Sequence, residues 1–165
     1  MMQDDYQACL LIGTNIEPEK NLVLAVEMLQ KHMTILRVSS VWETPPAGSD
    51  GPCFLNAALV GLTPQSAYSL KKGVLYPLEA QMGRVRSADK NAPRPIDLDI
   101  IAFEGKLLDA TIWQYAYRAV PVAELFPYYL SETGETLHDV ALRLQRATHL
   151  RVRPDVIINF VCNCH

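Results

Sequence analysis

The sequence predicts an α+β sandwich, an antiparallel sheet with helices packed on it. Three observations lead there. Apolar runs of strand length alternate with segments of helical spacing in the coarse order β-α-β-β-α-β. Of the 165 residues, 49% are hydrophobic, enough for a sizeable core in one domain spanning 1–165. Charged residues make up 20% and the net charge is −3, which fits neither a disordered segment nor a nucleic-acid coat with its basic face.

Ala8 to Ile12 is a short apolar run closed by Gly13 and predicts a buried strand, with Cys9 as a buried thiol. Pro18 opens a helix, where its missing N–H costs nothing, and Leu22, Ala25, Val26 and Leu29 form its apolar face. Thr34 to Thr44 is rich in β-branched residues and predicts one strand, ended by Pro45-Pro46. Phe54 to Leu62 predicts another. Thr63-Pro64 then predicts a helix start, with Thr63 as cap and the helix running to Met82 and Gly83. Gly73 and Pro77 inside it predict a kink or break. Ile96 to Phe103 predicts a strand, followed by a turn at Glu104-Gly105. Val120 to Leu125 and Leu137 to Arg146 predict helices, and Val156 to Val161 a late strand. This order is that of a ferredoxin-like α/β sandwich.

No segment approaches the ~18–20 apolar residues of a membrane span. Met1-Met2-Gln3-Asp4-Asp5 is acidic where a secretory signal would be basic. The cysteines Cys9, Cys53, Cys162 and Cys164 lack the framework of a small secreted domain. A cytoplasmic protein without membrane or nucleic-acid partners is expected. The terminal Cys162-Asn163-Cys164-His165 has no second ligand cluster to make a metal site. Arg143, Arg146, Arg151 and Arg153 read as a solvated basic face, and Trp42 and Trp113 as packing residues.

The stretch Arg84 to Asp99 carries the chemistry. Arg84, Arg86, Lys90 and Arg94 precede Asp97 and Asp99, which alternation on a strand places on one face, with Leu98 and Ile100 turned to the core. Two carboxylates on one face repel unless a cation lies between them. Mg²⁺ suits that position, taking one or two carboxylates plus phosphate oxygens, and guanidinium forks suit the remaining phosphate charge. A solvated basic loop ahead of an exposed strand edge would give the same charge pattern, so charge alone leaves both readings open. There is no G-x-x-x-x-G-K-[ST] and no protein-kinase motif set. A second constellation, Thr44-Pro45-Pro46-Ala47-Gly48 with Phe54-Leu55-Asn56, offers free carbonyls, a ring and an amide for a planar heterocycle.

These residues resemble the 6-hydroxymethyl-7,8-dihydropterin pyrophosphokinases of folate biosynthesis. The matching pieces are Leu11-Ile12-Gly13-Thr14-Asn15, Thr44-Pro45-Pro46, Phe54-Leu55-Asn56-Ala57-Ala58, Glu79, Gly83-Arg84-Val85-Arg86 and Pro93-Arg94-Pro95-Ile96-Asp97-Leu98-Asp99-Ile100. They fall in order over about residues 8 to 105, and Val120 to Pro127 continues them. The resemblance implies transfer of the β,γ-diphosphate of ATP to the hydroxymethyl group of a dihydropterin, with release of AMP, by a monomer. It implies that Asp97 and Asp99 hold two Mg²⁺ ions and that Arg84 and Arg94 steady the moving phosphates. Glu79 and Arg86 match nucleotide-side positions, and Ile100 one near the adenine. Thr44, Pro45 and Ala47 would line the pterin, Phe54 would pack near it, Asn56 would bond it, and Tyr117 would supply an aromatic face.

The chain also departs from the family pattern. Asn91 stands where a Trp is common, and Tyr76 where a glutamine reaches ATP. The segment between Leu108 and Tyr117 is short and lacks the family's histidine and following arginine. Arg118 is the nearby cation, able to serve if the short loop turns it inward. The expected enzyme therefore binds ATP weakly and transfers slowly. A pterin- or nucleotide-binding relative without catalysis is the alternative.

Overall fold

The structure, a computed structural model, describes residues 4–46, 50–85, 88 and 94–161. Its central strand is β1 (Tyr6–Thr14), buried over its last seven residues because both faces are covered. β1 pairs antiparallel with β4 (Phe54–Thr63) on one side and β5 (Asp97–Phe103) on the other. β4 also pairs with β2 (Thr34–Val38) and β3 (Trp42–Thr44), while β6 (Lys106–Leu107) and β7 (Arg151–Val152) close the edges. The sheet order is β6-β5-β1-β4-β3-β7, with every pairing antiparallel.

Alternation along the strands sends side chains into two cores. Leu10, Ile12, Leu55, Leu59 and Leu98 meet Leu22, Val26 and Leu29 of α1 (Pro18–Leu29) and Leu70, Leu75 and Leu78 of the second crossover. Leu11, Ala58, Val60 and Ile101 meet α4 (Ala116–Leu125) and α5 (Leu137–Arg146) on the opposite face. Cys9 lies in this second core, and burial pushes its thiol up to about 12.

Several expectations change. Thr34 to Thr44 is two strands, because Leu36 is a bulge and the chain leaves the ladder after Val38. There Ser39 replaces ladder bonds with its own: its N–H donates to Ala58 O at 2.8 Å and its Oγ accepts from Ala58 N–H at 2.8 Å. The second crossover starts at Ala67, because Thr63 completes β4 and Ser66 is the cap, accepting from Ser69 N–H. It runs as α2 (Ala67–Leu70), a π turn (Lys71–Leu75) and α3 (Tyr76–Gln81). The break falls in the expected region. A proline ring at position 77 would clash with the carbonyl of Gly73, and widening the turn relieves this. Tyr76 N–H accordingly donates to Lys71 O, five residues back.

α4 begins at Ala116 rather than Val120. Ala116 and Ala119 are small and buried, so the helix lies close on the sheet with Pro121 inside it. Val156 to Val161 is not a strand. Val156, Ile158 and Phe160 do turn to the first core, but the Gln30 side chain, not a neighbouring strand, bonds Asn159 O and Val161 N–H. Arg153 is not solvated. Only 16% of its side chain is exposed, and it bonds Glu43, Glu19 and Asp155, tying residues 151–155 to β3 and α1. Residues 162–165 lie outside the described residues. Among those described, no helix is long and apolar enough to cross a membrane.

Gly61 sits where β2 crosses close to β4. A Cβ there would lie 2.5 Å from Met33 Cε and 2.9 Å from Thr34 O, and the latter is backbone that cannot swing aside. Gly61→Ala is therefore expected to lower stability by about 1–3 kcal/mol, as read by urea denaturation. An unchanged midpoint would show that β2 can shift without cost.

Candidate active site

The second face of the sheet is built into a site at one end of its strands. Gly13 pairs with Asp97 on one side and with Asn56 on the other, and Leu11 pairs with Asp99 and Ala58. Residues of β3 follow the same row, since Trp42 pairs with Asn56 and Thr44 with Phe54. Cross-strand partners share a face, so Asp97, Asp99, Gly13, Asn56, Thr44 and Phe54 all look the same way. Gly13 leaves the floor open between Asp97 and Asn56. A Cβ on it would come within 3.1 Å of Asn56 Oδ1.

Arg84 and Arg94 converge on Asp97. Arg84 Nη1 donates to Asp97 Oδ1 at 2.7 Å, and Arg94 Nη1 to Asp97 Oδ2 at 3.1 Å. The same Arg84 nitrogen is 2.8 Å from Glu79 Oε1, which also accepts from Leu98 N–H at 2.9 Å. Burial works against the Arg84 charge, but Asp97 and Glu79 outweigh it and hold its pKa above the usual guanidinium value. Glu79 is 2% exposed. In this arrangement it fixes Arg84 and the start of β5 rather than facing open space.

Asp99 is held differently. Arg118 Nη2 lies 3.4 Å from its Oδ2, and Arg118 Nη1 lies 2.8 Å from Asp109 Oδ2. Burial, then the neighbouring Asp97 charge, pushes the Asp99 carboxyl above the usual range, against the pull of Arg118. The short segment before α4 thus turns Arg118 inward. Asp109 caps a 3₁₀ turn (Ala110–Trp113), and α4 starts three residues later.

Asn56 is buried and its Nδ2 donates to Thr44 Oγ1 at 3.2 Å. Thr44 is likewise buried, Phe54 half-buried and Pro45 exposed. Tyr117 is half-buried, stacked on Tyr115 with ring centres 5.6 Å apart. Ile100 faces the other way, against the first core. Trp42 donates Nε1–H to Glu124 at 2.6 Å, and Trp113 packs on the second core. Ala47, Arg86, Lys90 and Asn91 lie outside the described residues.

Sequence reasoning gave no role to Thr14, Asn15 or Asp109. Asn15 clamps Arg94 by both of its backbone groups. Its Oδ1 accepts from Arg94 N–H at 2.6 Å, and its N–H donates to Arg94 O at 3.1 Å. Thr14 Oγ1 donates to Pro95 O at 2.7 Å. The polar pair closing an apolar strand was the available signal. Asp109 had none, since its partner Arg118 depends on loop geometry.

The donor set fits a hard divalent cation. Among the described residues no three His, Cys, Asp or Glu side chains group into a metal cage. Two mutually repelling carboxylates on one face leave the other ligand positions to water or substrate oxygen, as Mg²⁺ prefers.

A model of the family described as 7,8-dihydro-6-hydroxymethylpterin-pyrophosphokinase matches residues 9–127. The chain is 33% identical over 150 residues to a 2-amino-4-hydroxy-6-hydroxymethyldihydropteridine pyrophosphokinase of Methylorubrum extorquens, covering 84% of this chain and 93% of that protein. It is 30% identical over 131 residues to a folate synthesis bifunctional protein of Arabidopsis thaliana, covering 72% of this chain but only 27% of the relative. The chain thus spans about a quarter of the plant bifunctional proteins that it matches. A wild-type Plasmodium falciparum HPPK-DHPS structure aligns with a TM-score of 0.66 at 12% identity, over 86% of this chain and 45% of that one, which shows a shared fold.

A raised carboxyl pKa in the folded state means that folding disfavours the charged form. Stability is lost above the folded-state pKa and regained as pH falls through it. Asp99→Asn is therefore expected to raise the melting temperature of the cation-free protein at neutral pH, with the gain shrinking in acid. Calorimetry in chelator at several pH values checks this. A lower melting temperature at neutral pH would mean that the Arg118 contact outweighs burial and repulsion.

Proposed function

The chain belongs to the 7,8-dihydro-6-hydroxymethylpterin-pyrophosphokinase family, and from that premise we propose that it transfers diphosphate from ATP to 6-hydroxymethyl-7,8-dihydropterin, releasing AMP. The observation that carries this reading is Asp97 and Asp99 on one sheet face, with Arg84 and Arg94 on the first and Asn56 across the open floor at Gly13. In the reaction the pterin hydroxyl oxygen bonds to the β-phosphorus. The bond from that phosphorus to the α,β-bridging oxygen breaks, AMP leaves with the oxygen, and the hydroxyl proton passes to solvent.

No side chain in the site is asked to form a covalent intermediate, so rate comes from positioning and charge neutralisation. Asp97 and Asp99 would hold Mg²⁺, two ions with ATP, whose chemistry is to screen phosphate charge and favour attack at phosphorus. Arg84, backed by Glu79, and Arg94, clamped by Asn15, keep guanidinium groups beside those carboxylates, where phosphate oxygens would arrive. Asn56 and Thr44 present polar atoms at the bottom of the floor, with Phe54 and Tyr117 as candidate ring contacts for a pterin. Arg86, Pro45 and Ala47 complete the set on the family resemblance, whereas the Ile100 side chain lies on the other face of the sheet. We further propose that the substrates are small molecules and that the protein works in the cytoplasm as a monomer.

Formation of AMP from ATP and the hydroxymethyldihydropterin, assayed directly, tests the reading. Asp97→Asn is expected to abolish turnover while leaving the circular dichroism spectrum unchanged. Turnover at the wild-type rate in saturating Mg²⁺ would remove Asp97 from the metal site.

Asn56→Ala is expected to weaken pterin binding by about 1–3 kcal/mol, since it leaves buried pterin polar atoms unpaired. ATP affinity should stay the same. Calorimetric titration giving equal pterin affinity for both proteins would take Asn56 out of the site.

A further inference from the structure

The Arg118 guanidinium is held on three sides, and unequally. Nη1 donates to Asp109 Oδ2 at 2.8 Å, Nε to Tyr117 Oη at 3.3 Å, and Nη2 reaches Asp99 Oδ2 only at 3.4 Å. Its central carbon lies 5.3 Å from the centre of the Tyr117 ring. Asp109 is itself fixed, since its Oδ1 accepts from the Thr111 N–H at 2.9 Å and from the Thr111 hydroxyl. The Arg118 side chain is 16% exposed, whereas Asp99 is 37% exposed. A cation is thus clamped to a rigid, sheltered carboxylate and leans on a second one that is more open to solvent. Asp97 has other partners, Arg84 and Arg94.

Resting on the reading of Asp97 and Asp99 as a divalent-cation site, we propose that Arg118 is a positioning residue, a resident counter-cation that screens Asp99 until a divalent cation replaces it and Arg118 falls back on Asp109. Without any cation the two carboxylates repel across one strand face. A divalent cation at the pair brings like charge against the guanidinium, and the contact surrendered is the longest one. Competition for one carboxylate is reciprocal, so Arg118 weakens cation binding by the factor that the cation weakens the Arg118–Asp99 contact. Asp109 keeps the displaced guanidinium at the rim of the site. Nη2 is then available to an anion arriving with the metal, and a phosphate oxygen matches its geometry.

The test titrates Mn²⁺ into the nucleotide-free chain, with free Mn²⁺ read by electron paramagnetic resonance. Arg118→Met is expected to bind Mn²⁺ about two- to fivefold more tightly than wild type, the value of a partly exposed ion pair. Asp109→Asn is expected to bind more weakly by a similar factor, because Asp99 is then the one carboxylate left to Arg118 among its described partners. Affinity in Arg118→Met equal to or weaker than wild type overturns the proposal. So does unchanged or tighter binding in Asp109→Asn, which stands as the test if Arg118→Met does not fold. Asp97→Asn separates the two levels. Mn²⁺ affinity that survives it overturns the metal-site reading itself, whereas affinity lost there but unmoved in Arg118→Met overturns only the counter-cation.

Discussion

Two carboxylates two residues apart on a strand, Asp97 and Asp99, repel each other, and much of the surrounding structure answers that repulsion. Arg84 and Arg94 take Asp97, and Arg118 takes Asp99. Each of the two more buried arginines is backed in turn by a further carboxylate, Glu79 behind Arg84 and Asp109 behind Arg118. Signs therefore alternate outward from the sheet, and each buried charge has an opposite neighbour. Glu79 also bonds the Leu98 N–H, which ties this pattern to the backbone of β5. The register of the central strand sets the rest, because Gly13 and Leu11 of β1 stand beside the two aspartates.

The two faces of the sheet divide the work. One is mainly apolar and covered by α1, α2 and α3, and it holds the strands in place. The other is apolar only under α4 and α5 and becomes polar toward the strand ends. Since every side chain alternates between these faces, a slip of one residue between β1 and β5 would bury the aspartates and expose Leu98. The Asn15 and Thr14 bonds to Arg94 and Pro95 pin the chain at the point where such a slip would start.

What the sequence made legible was whatever depends on short-range periodicity. The shared face of Asp97 and Asp99 follows from the two-residue repeat, and the strands from Phe54 and Ile96 from apolar runs. Where partners were distant in sequence, the pattern misled. Val156 to Val161 alternates as a strand does, but its backbone bonds the Gln30 side chain instead of a strand. Thr63-Pro64 carries the composition of a helix start, yet pairing with Tyr6 keeps Thr63 in β4. Glu79 matched a nucleotide-side position, but its burial behind Arg84 is visible only once α3 is packed against β5. Arg118 could be named as a nearby cation, while its direction depended on the compact 3₁₀ turn before α4.

The π turn at Lys71–Leu75 also sets the phase of everything after it. A continuous α-helix over the same residues would carry one residue fewer in that turn, and α3 would arrive rotated by about 100° about its axis. Glu79 would then point away from Leu98 and Arg84. The widened turn absorbs the extra residue and restores the angle at which Glu79 enters the sheet. Loss of one residue within it, at Gly73 for example, would realign the downstream face only by closing the turn into ordinary α-helix, which Pro77 opposes through its clash with the carbonyl four residues back. The same loss anywhere in α3 ahead of Glu79 would not be absorbed. Pro77 thus holds the length of the crossover as well as the phase at which it delivers its charges.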